Sequence, residues 1–146
     1  MSVNNCKKII LSKIESPNGS LTPIENIELP FNIKRVFYIY DVPTGKSRGA
    51  HAHIKLEEFL ICLSGSFDVE VDDGINKLLF HLNRPWEGLY IPPMIWSAEK
   101  NFDPGTTCLA LCSEKYEEND YIRDYELFVK KIKEKNNFWI ISEQKN

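Results

Sequence analysis

Histidine is scarce in this chain, with three residues in 146, and signals for a membrane or an extracellular location are missing altogether. No run approaches the roughly 20 apolar residues that a membrane-spanning helix needs. The start, Met1 to Lys8, leads only into a short apolar stretch at Ile9 to Leu11, with no longer hydrophobic segment and no small-residue cleavage site. A secretory signal is therefore not expected. The four cysteines, Cys6, Cys62, Cys108 and Cys112, lack Cys-x-x-Cys spacing. Three of them lie inside apolar, strand-like runs, and all four read as reduced core residues of a cytoplasmic protein. Positive charge is also in deficit. A formal net charge of -3 and a pI near 5.7 argue against a general nucleic-acid or anionic-membrane binder, while leaving room for a few placed cations that hold a phosphate. Internal repeats, low-complexity tracts and linkers are absent too, so a single domain over residues 1–146 is expected.

What is present is a core-forming composition, 42% apolar and 12% aromatic, arranged in short runs of β-formers between turn residues. Cys6 to Ser12 reads as a strand that ends before the turn cluster Ser16-Pro17-Asn18-Gly19-Ser20, and Leu21 to Ile24 resumes it. Arg35 to Tyr40 is rich in β-formers, with Tyr38 and Tyr40 on one face and Phe37 and Ile39 on the other, the pattern of a strand covered on both sides. Phe59 to Ser64 is a buried run. Phe67, Val69 and Val71 alternate with Asp68 and Glu70, and Asp72-Asp73-Gly74 turns the chain back into Lys77 to Leu82. Gly88 to Ile91 and Thr106 to Ser113 complete eight or nine strands at the spacing of a sandwich or barrel. From residue 120 to 134 the apolar spacing changes to that of one helix, with Asn119 or Asp120 placed to cap its start and lysines gathered toward its end.

Two of the three histidines stand one residue apart in Arg48-Gly49-Ala50-His51-Ala52-His53. In an extended strand, alternate side chains share a face, so both imidazoles project together. Such a pair can share a metal or a proton, since imidazole exchanges its proton near neutral pH. The neighbours narrow the choice of architecture. Gly45, five residues, His51-x-His53, four residues, Glu58, six residues and Gly65 match the spacing of the first cupin motif, so the chain resembles the cupins. This resemblance implies an all-β double-stranded β-helix, or jelly roll, with a C-terminal helix packed on it. In metal-binding cupins a second motif adds a further histidine; the matching stretch here, Pro92 to Ser97, places Ser97 at that position. His51, His53 and Glu58 alone could still form a facial triad for iron or manganese.

Longer strings make the resemblance narrower. Ile33 to Tyr40, Arg48 to His53, Gly88 to Pro93 and Asp120 to Tyr125 are similar to the sugar 3,4-ketoisomerases that act on dTDP-4-keto-6-deoxyglucose, over about Lys8 to Phe128. This resemblance implies a cytoplasmic homodimer that needs no cofactor or metal. It binds a dTDP-linked keto sugar, not nucleic acid or membrane, and moves the keto group from C4 to C3 ahead of amination in 3-amino-deoxysugar biosynthesis. It also implies that His51 and His53 are the catalytic pair, with His51 as base and His53 shuttling a proton between sugar oxygens or to carbon. Tyr38 is a candidate donor to the developing oxyanion. Arg48 and Arg35 are candidates for the diphosphate, and Glu58, Ser97 and Trp96 complete the expected substrate contacts. Asp120 to Tyr125 reads as capping and packing of the helix, and His81 is given no role. Two positions depart from the family pattern as we read it, which often has glutamine at Glu58 and a basic side chain at Ser97. A metal-dependent cupin oxygenase using His51, His53 and Glu58, and a non-catalytic sugar-binding cupin, are the competing readings.

Overall fold

The structure, a computed structural model, describes residues 1–25 and 28–143. Its strands are β1 (Lys7–Ile10), β2 (Ile14–Ser16), β3 (Gly19–Leu21), β4 (Arg35–Ile39), β5 (Arg48–His53), β6 (Glu58–Ser64), β7 (Phe67–Asp72), β8 (Lys77–Leu82), β9 (Glu87–Ile91), β10 (Trp96–Lys100), β11 (Thr107–Cys112) and β12 (Tyr121–Ile122), followed by helix α1 (Tyr125–Glu143). Two five-stranded antiparallel sheets face each other, in the orders β1-β9-β6-β11-β4 and β12-β5-β10-β7-β8. The ribbon β2-β3 stands apart. This is the expected all-β jelly roll with a helix at its C-terminal end.

Apolar side chains from both inner faces fill the space between the sheets. Leu60, Cys62, Cys108 and Ala110 from the first sheet meet Phe67, Val69, Val71 and Leu82 from the second, all of them buried. The rings of Phe67 and Phe102 stack at 5.1 Å in this layer. All four cysteines are buried with free thiols. The outer face of the first sheet is covered by Leu11, Leu29 and Phe31, which pack on Phe59 and Ile61. The outer face of the second receives α1 through Phe128 and Ile132, packed with Ala52, Met94 and Ile122.

Three local expectations change. Helix α1 starts at Tyr125 rather than at 120 and continues to Glu143. Its cap is Asp124, whose Oδ1 accepts from Leu127 N at 2.9 Å, whereas Asp120 closes a one-turn 3-10 helix (Glu118–Asp120) just before β12. Strand β4 is covered on one face only: it is an edge strand, and Val36, Tyr38 and Tyr40 on its outward face are more than half exposed. Strand β10 was not legible as a strand, because its inward residues are Ser97 and Glu99 instead of apolar ones. No helix among the described residues is long and apolar enough to cross a membrane.

Since Phe67 has no exposed surface and stacks on Phe102, Phe67→Ala should lower unfolding free energy by about 3–5 kcal/mol through lost burial and a residual cavity. Urea denaturation followed by tryptophan fluorescence measures this, and a loss below about 1 kcal/mol would mean that the intersheet layer is not the core.

Candidate active site

The histidine strand β5 is held in an unusual shape by a bulge. Gly49 (φ +89°) and Ala50 (φ +28°) both occupy the left-handed side of backbone space. Opposite them β10 keeps its regular step, so Ser97 pairs with His51 and Glu99 with Arg48. Two residues of β10 thus span three of β5, which turns Arg48 and His51 to the same inner face although their separation is odd. Gly49 permits this at close quarters, since a Cβ there would stand 2.1 Å from Glu99 Oε2.

Beyond the bulge the two imidazoles meet edge to face with ring centroids 4.8 Å apart, and the Nε2 atoms approach to 3.1 Å. Each ring has its other nitrogen engaged. His51 Nδ1 contacts the Gly49 carbonyl oxygen, and His53 Nδ1 contacts Asp120 Oδ2 at 3.2 Å. Both partners are acceptors, so both Nδ1 atoms must donate, which assigns the tautomers and leaves two Nε2 lone pairs facing one another. Such a pair is comfortable with one proton between the rings and strained with none or two. Burial lowers the pKa of His51, and burial together with the His51 charge lowers that of His53, against a smaller upward pull from Asp120.

Asp120 is fixed by more than the imidazole. Its Oδ1 accepts from Lys55 N at 2.8 Å, its Oδ2 from Leu56 N at 3.1 Å, and its carbonyl from Ile54 N at 2.9 Å. The chain therefore wraps the loop after β5 around one carboxylate that lies 65 residues beyond Lys55 and 64 beyond Leu56. Tyr121, paired with His53 in the sheet, lays its ring 4.4 Å from His53 and 4.9 Å from His51. Its hydroxyl accepts from Arg35 at 3.2 Å.

These groups edge a cavity of about 470 Å³ bordered by Arg35, Arg48, His51, Glu58, Glu99 and Tyr121, with Phe37, Tyr116 and Arg123 among the others. His51 borders it, while His53 is packed between His51 and Asp120 and 7% exposed. Arg35 and Glu58 reach it from the first sheet, where both pair with Cys112 across β11. Glu58 is buried, and this raises its pKa, with Arg35 pulling the other way. His51, His53 and Glu58 present ligand atoms within 4.8 Å of one another, so the donor set fits a metal triad as well as a shared proton.

The other expected residues take different places around this cavity. Tyr38 borders the cavity from the outward face of β4, 63% exposed, with its ring 5.7 Å from Tyr40 and no hydrogen bond to either histidine; alternation gives the inward place to Phe37. Trp96 points away from the cavity and packs under α1 against Tyr125 and Phe128. Ser97 is buried opposite His51. His81 pairs with Asp68 on an exposed strand. Missed from the sequence were Asp120 and Tyr121, absorbed into a helix they do not belong to, together with Glu99 and Arg123. Periodicity gave no signal here, since Tyr121, Ile122 and Tyr125 keep helical spacing although only Tyr125 lies in α1.

Comparison with known proteins gives concordant results. A profile described as "FdtA: WxcM-like, C-terminal" matches residues 4–133. The TDP-4-oxo-6-deoxy-alpha-D-glucose-3,4-oxoisomerase of Aneurinibacillus thermoaerophilus is 45% identical over 131 residues, 89% of this chain and 91% of that protein. The sugar 3,4-ketoisomerase QdtA of Thermoanaerobacterium thermosaccharolyticum, in complex with TDP, superposes with a TM-score of 0.89 at 40% identity, covering 92% of this chain and 98% of its own. A 3,4-ketoisomerase from Helicobacter canadensis gives 0.86 at 42% identity, covering 88% and 98%. With a bulged His-x-His strand facing a cavity inside a jelly roll, and with likeness over nearly its whole length, this chain belongs to the FdtA, WxcM-like C-terminal family.

Proposed function

We propose that this protein is a sugar 3,4-ketoisomerase that converts TDP-4-keto-6-deoxyglucose to the 3-keto isomer by proton transfer through an enediol. The observation that carries this reading is the 3.1 Å approach of two imidazole nitrogens whose other nitrogens are already committed, beside a cavity in the fold of ketoisomerases that bind TDP. Moving a carbonyl by one carbon requires removal of the C3 proton and delivery of a proton to C4. His51, at the cavity, is the base. The proton it takes relieves the opposition of the two Nε2 lone pairs, so the pair gains on protonation what each buried imidazole alone would lose. His53, held by Asp120, fixes the orientation of His51 and shares that proton. Arg48 and Arg35 hold the diphosphate as planar donors, with Arg123 as a third cation at the same cavity. Tyr38, at the cavity border, and Tyr121, hydrogen-bonded to Arg35, are the hydroxyls available to the developing oxyanion.

The protein acts as one cupin domain over residues 1–146, as a cytoplasmic homodimer, with the TDP-linked keto sugar as its ligand. A metal-dependent reading is supported by the clustering of His51, His53 and Glu58, and chelation separates the two. Isomerisation followed by NMR should survive exhaustive chelation and place solvent deuterium at C4. His51→Asn should lower it by at least ~100-fold while TDP binding changes little. Near-normal turnover of that variant would remove His51 from the role of base, and loss of activity with stoichiometric iron or manganese would favour the metal reading.

Asp120 allows a test with a defined sign. Its carboxylate raises the pKa of His53 against burial, so Asp120→Asn depresses it further and leaves the pair neutral to lower pH. A base works when unprotonated, and the acid limb of kcat should therefore move to lower pH. The plateau should fall on the order of 10²-fold as the pair becomes a weaker proton acceptor and His53 loses its fixed orientation. An acid limb that stays in place would show that the Asp120–His53–His51 chain does not set the base.

A further inference from the structure

Helix α1 outlasts the barrel that it packs on. Its buried residues, Phe128 and Ile132, lie in its first half; Trp139 continues the same face at helical spacing and is 62% exposed. Around it Phe138, Ile140 and Ile141 are more than half exposed too. We propose that this helix tip is a peripheral membrane contact, which seats its four large apolar side chains in an anionic phospholipid surface while the lysines of the preceding turns meet the lipid phosphates. The inference is independent of the ketoisomerase reading. It runs against the expectation, from family resemblance, that the chain meets no membrane.

The distribution of apolar surface favours lipid over protein. Successive residues of a helix step around its axis by about 100°, so residues 138 to 141 point to four sides. A second barrel docked on the helix would cover one of those sides and leave the others in water. A segment that is apolar on every side suits surroundings that are apolar on every side. Beside the helix, Phe138 borders a shallow hollow of about 390 Å³ with Ile54 and Met94. The hollow is too open to bury the ring, which stays 72% exposed. The match to the family profile ends at residue 133, so the shared fold and site make no demand on this tip.

Charge points the same way. Between residues 130 and 135 stand four lysines, Lys130, Lys131, Lys133 and Lys135, and one acid, Glu134. The chain as a whole carries a net charge of -3, so this basic cluster is a local feature. The lysine ion pairs among the described residues all lie elsewhere on the chain, which leaves the four ammonium groups unneutralised by the acids described. At 1.5 Å per residue, the middle of the lysine group stands about 10 Å along the axis from the middle of the apolar tip. An interfacial helix sinks its apolar face to about that depth, 5–10 Å below the headgroups, and the long lysine stems can hold their charges at the phosphates. Glu143, beyond the apolar residues, keeps the helix oblique and the insertion shallow. Four apolar residues cannot span a bilayer. Stable attachment at a surface takes two signals, and the tip and its lysines supply one apolar and one electrostatic.

Co-sedimentation of the full chain with lipid vesicles tests the proposal, using phosphatidylcholine alone and phosphatidylcholine with phosphatidylglycerol in about equal parts. The protein should pellet with the anionic vesicles. It should partition at least ~10-fold more weakly onto the neutral ones, or in high salt where charge attraction is screened. Replacing two cations, Lys133→Gln with Lys135→Gln, should lower partitioning by at least ~10-fold. Replacing two apolar residues, Phe138→Ser with Trp139→Ser, should lower it by at least ~10-fold as well. All four side chains are exposed, so the melting temperature should not change in either variant. Trp139→Phe should pellet like the unaltered protein but lose the blue shift of tryptophan emission that vesicles produce. Failure to pellet with anionic vesicles, equal binding to neutral ones, full binding by either double variant, or a blue shift that persists in Trp139→Phe would each overturn the proposal. A lower melting temperature of the Phe138→Ser, Trp139→Ser variant would place the tip within the fold and overturn it too. So would a smaller oligomer of that variant in sedimentation velocity, which would assign the tip to a second copy of the chain.

Discussion

Two imidazole rings with their Nε2 atoms 3.1 Å apart are held in an arrangement that neither would adopt alone. A neutral imidazole has one acceptor nitrogen, and turning two acceptors toward each other in a buried site is unfavourable unless the backbone forbids the alternative. Here it does. The bulge at Gly49 and Ala50 aims the Gly49 carbonyl at His51, and the loop after β5 closes on Asp120 through two amide donors. The acceptor pair is a consequence of those backbone commitments, and the free energy of holding it is returned when a proton arrives. The site thus sets geometry against burial, since burial lowers the pKa of both histidines while the facing acceptor nitrogens favour one shared proton.

The same cavity balances buried acids against cations from both sheets. Arg35 and Glu58 share an inner row of the first sheet, and Arg48 and Glu99 a paired position on the second. Burial raises both carboxyls and each arginine partly offsets it. The cavity thus sets two buried carboxyls against two arginines. Jelly-roll topology brings this about because adjacent sheets contribute alternate residues to one interior, so four short strands can each deliver one ionisable group to it.

The residues legible in the sequence were those whose signal is local. His51, His53, Glu58, Gly45 and Gly65 lie within one stretch at fixed offsets, and the alternation of β7 or the apolar run of β6 announces a strand without help from elsewhere. Strand β10 was illegible for a physical reason: the face that would carry the apolar signal in a packing strand carries Ser97 and Glu99, because it lines the polar cavity. Trp96 was misjudged for the complementary reason. On a polar-lined strand the aromatic residue belongs to the outer face, where α1 covers it. Tyr38 and Phe37 alternate identically in either register, and the sequence offers nothing to say which face of an edge strand packs inward.

Sequence alone determined the class of fold, the pairing of the histidines and the family resemblance, since strand alternation and a motif of fixed spacing depend on backbone periodicities of 2 and on chain length between turns. Tertiary structure decided which nitrogen of each histidine is free, which carboxylate holds His53, and which acid faces the cavity from β10. Those facts follow from contacts across 67 residues between His53 and Asp120 and from a bulge that alters the phase of one strand against its neighbour. No pattern within a single segment encodes them, because each is a property of two segments at a distance that only the packed sheets set.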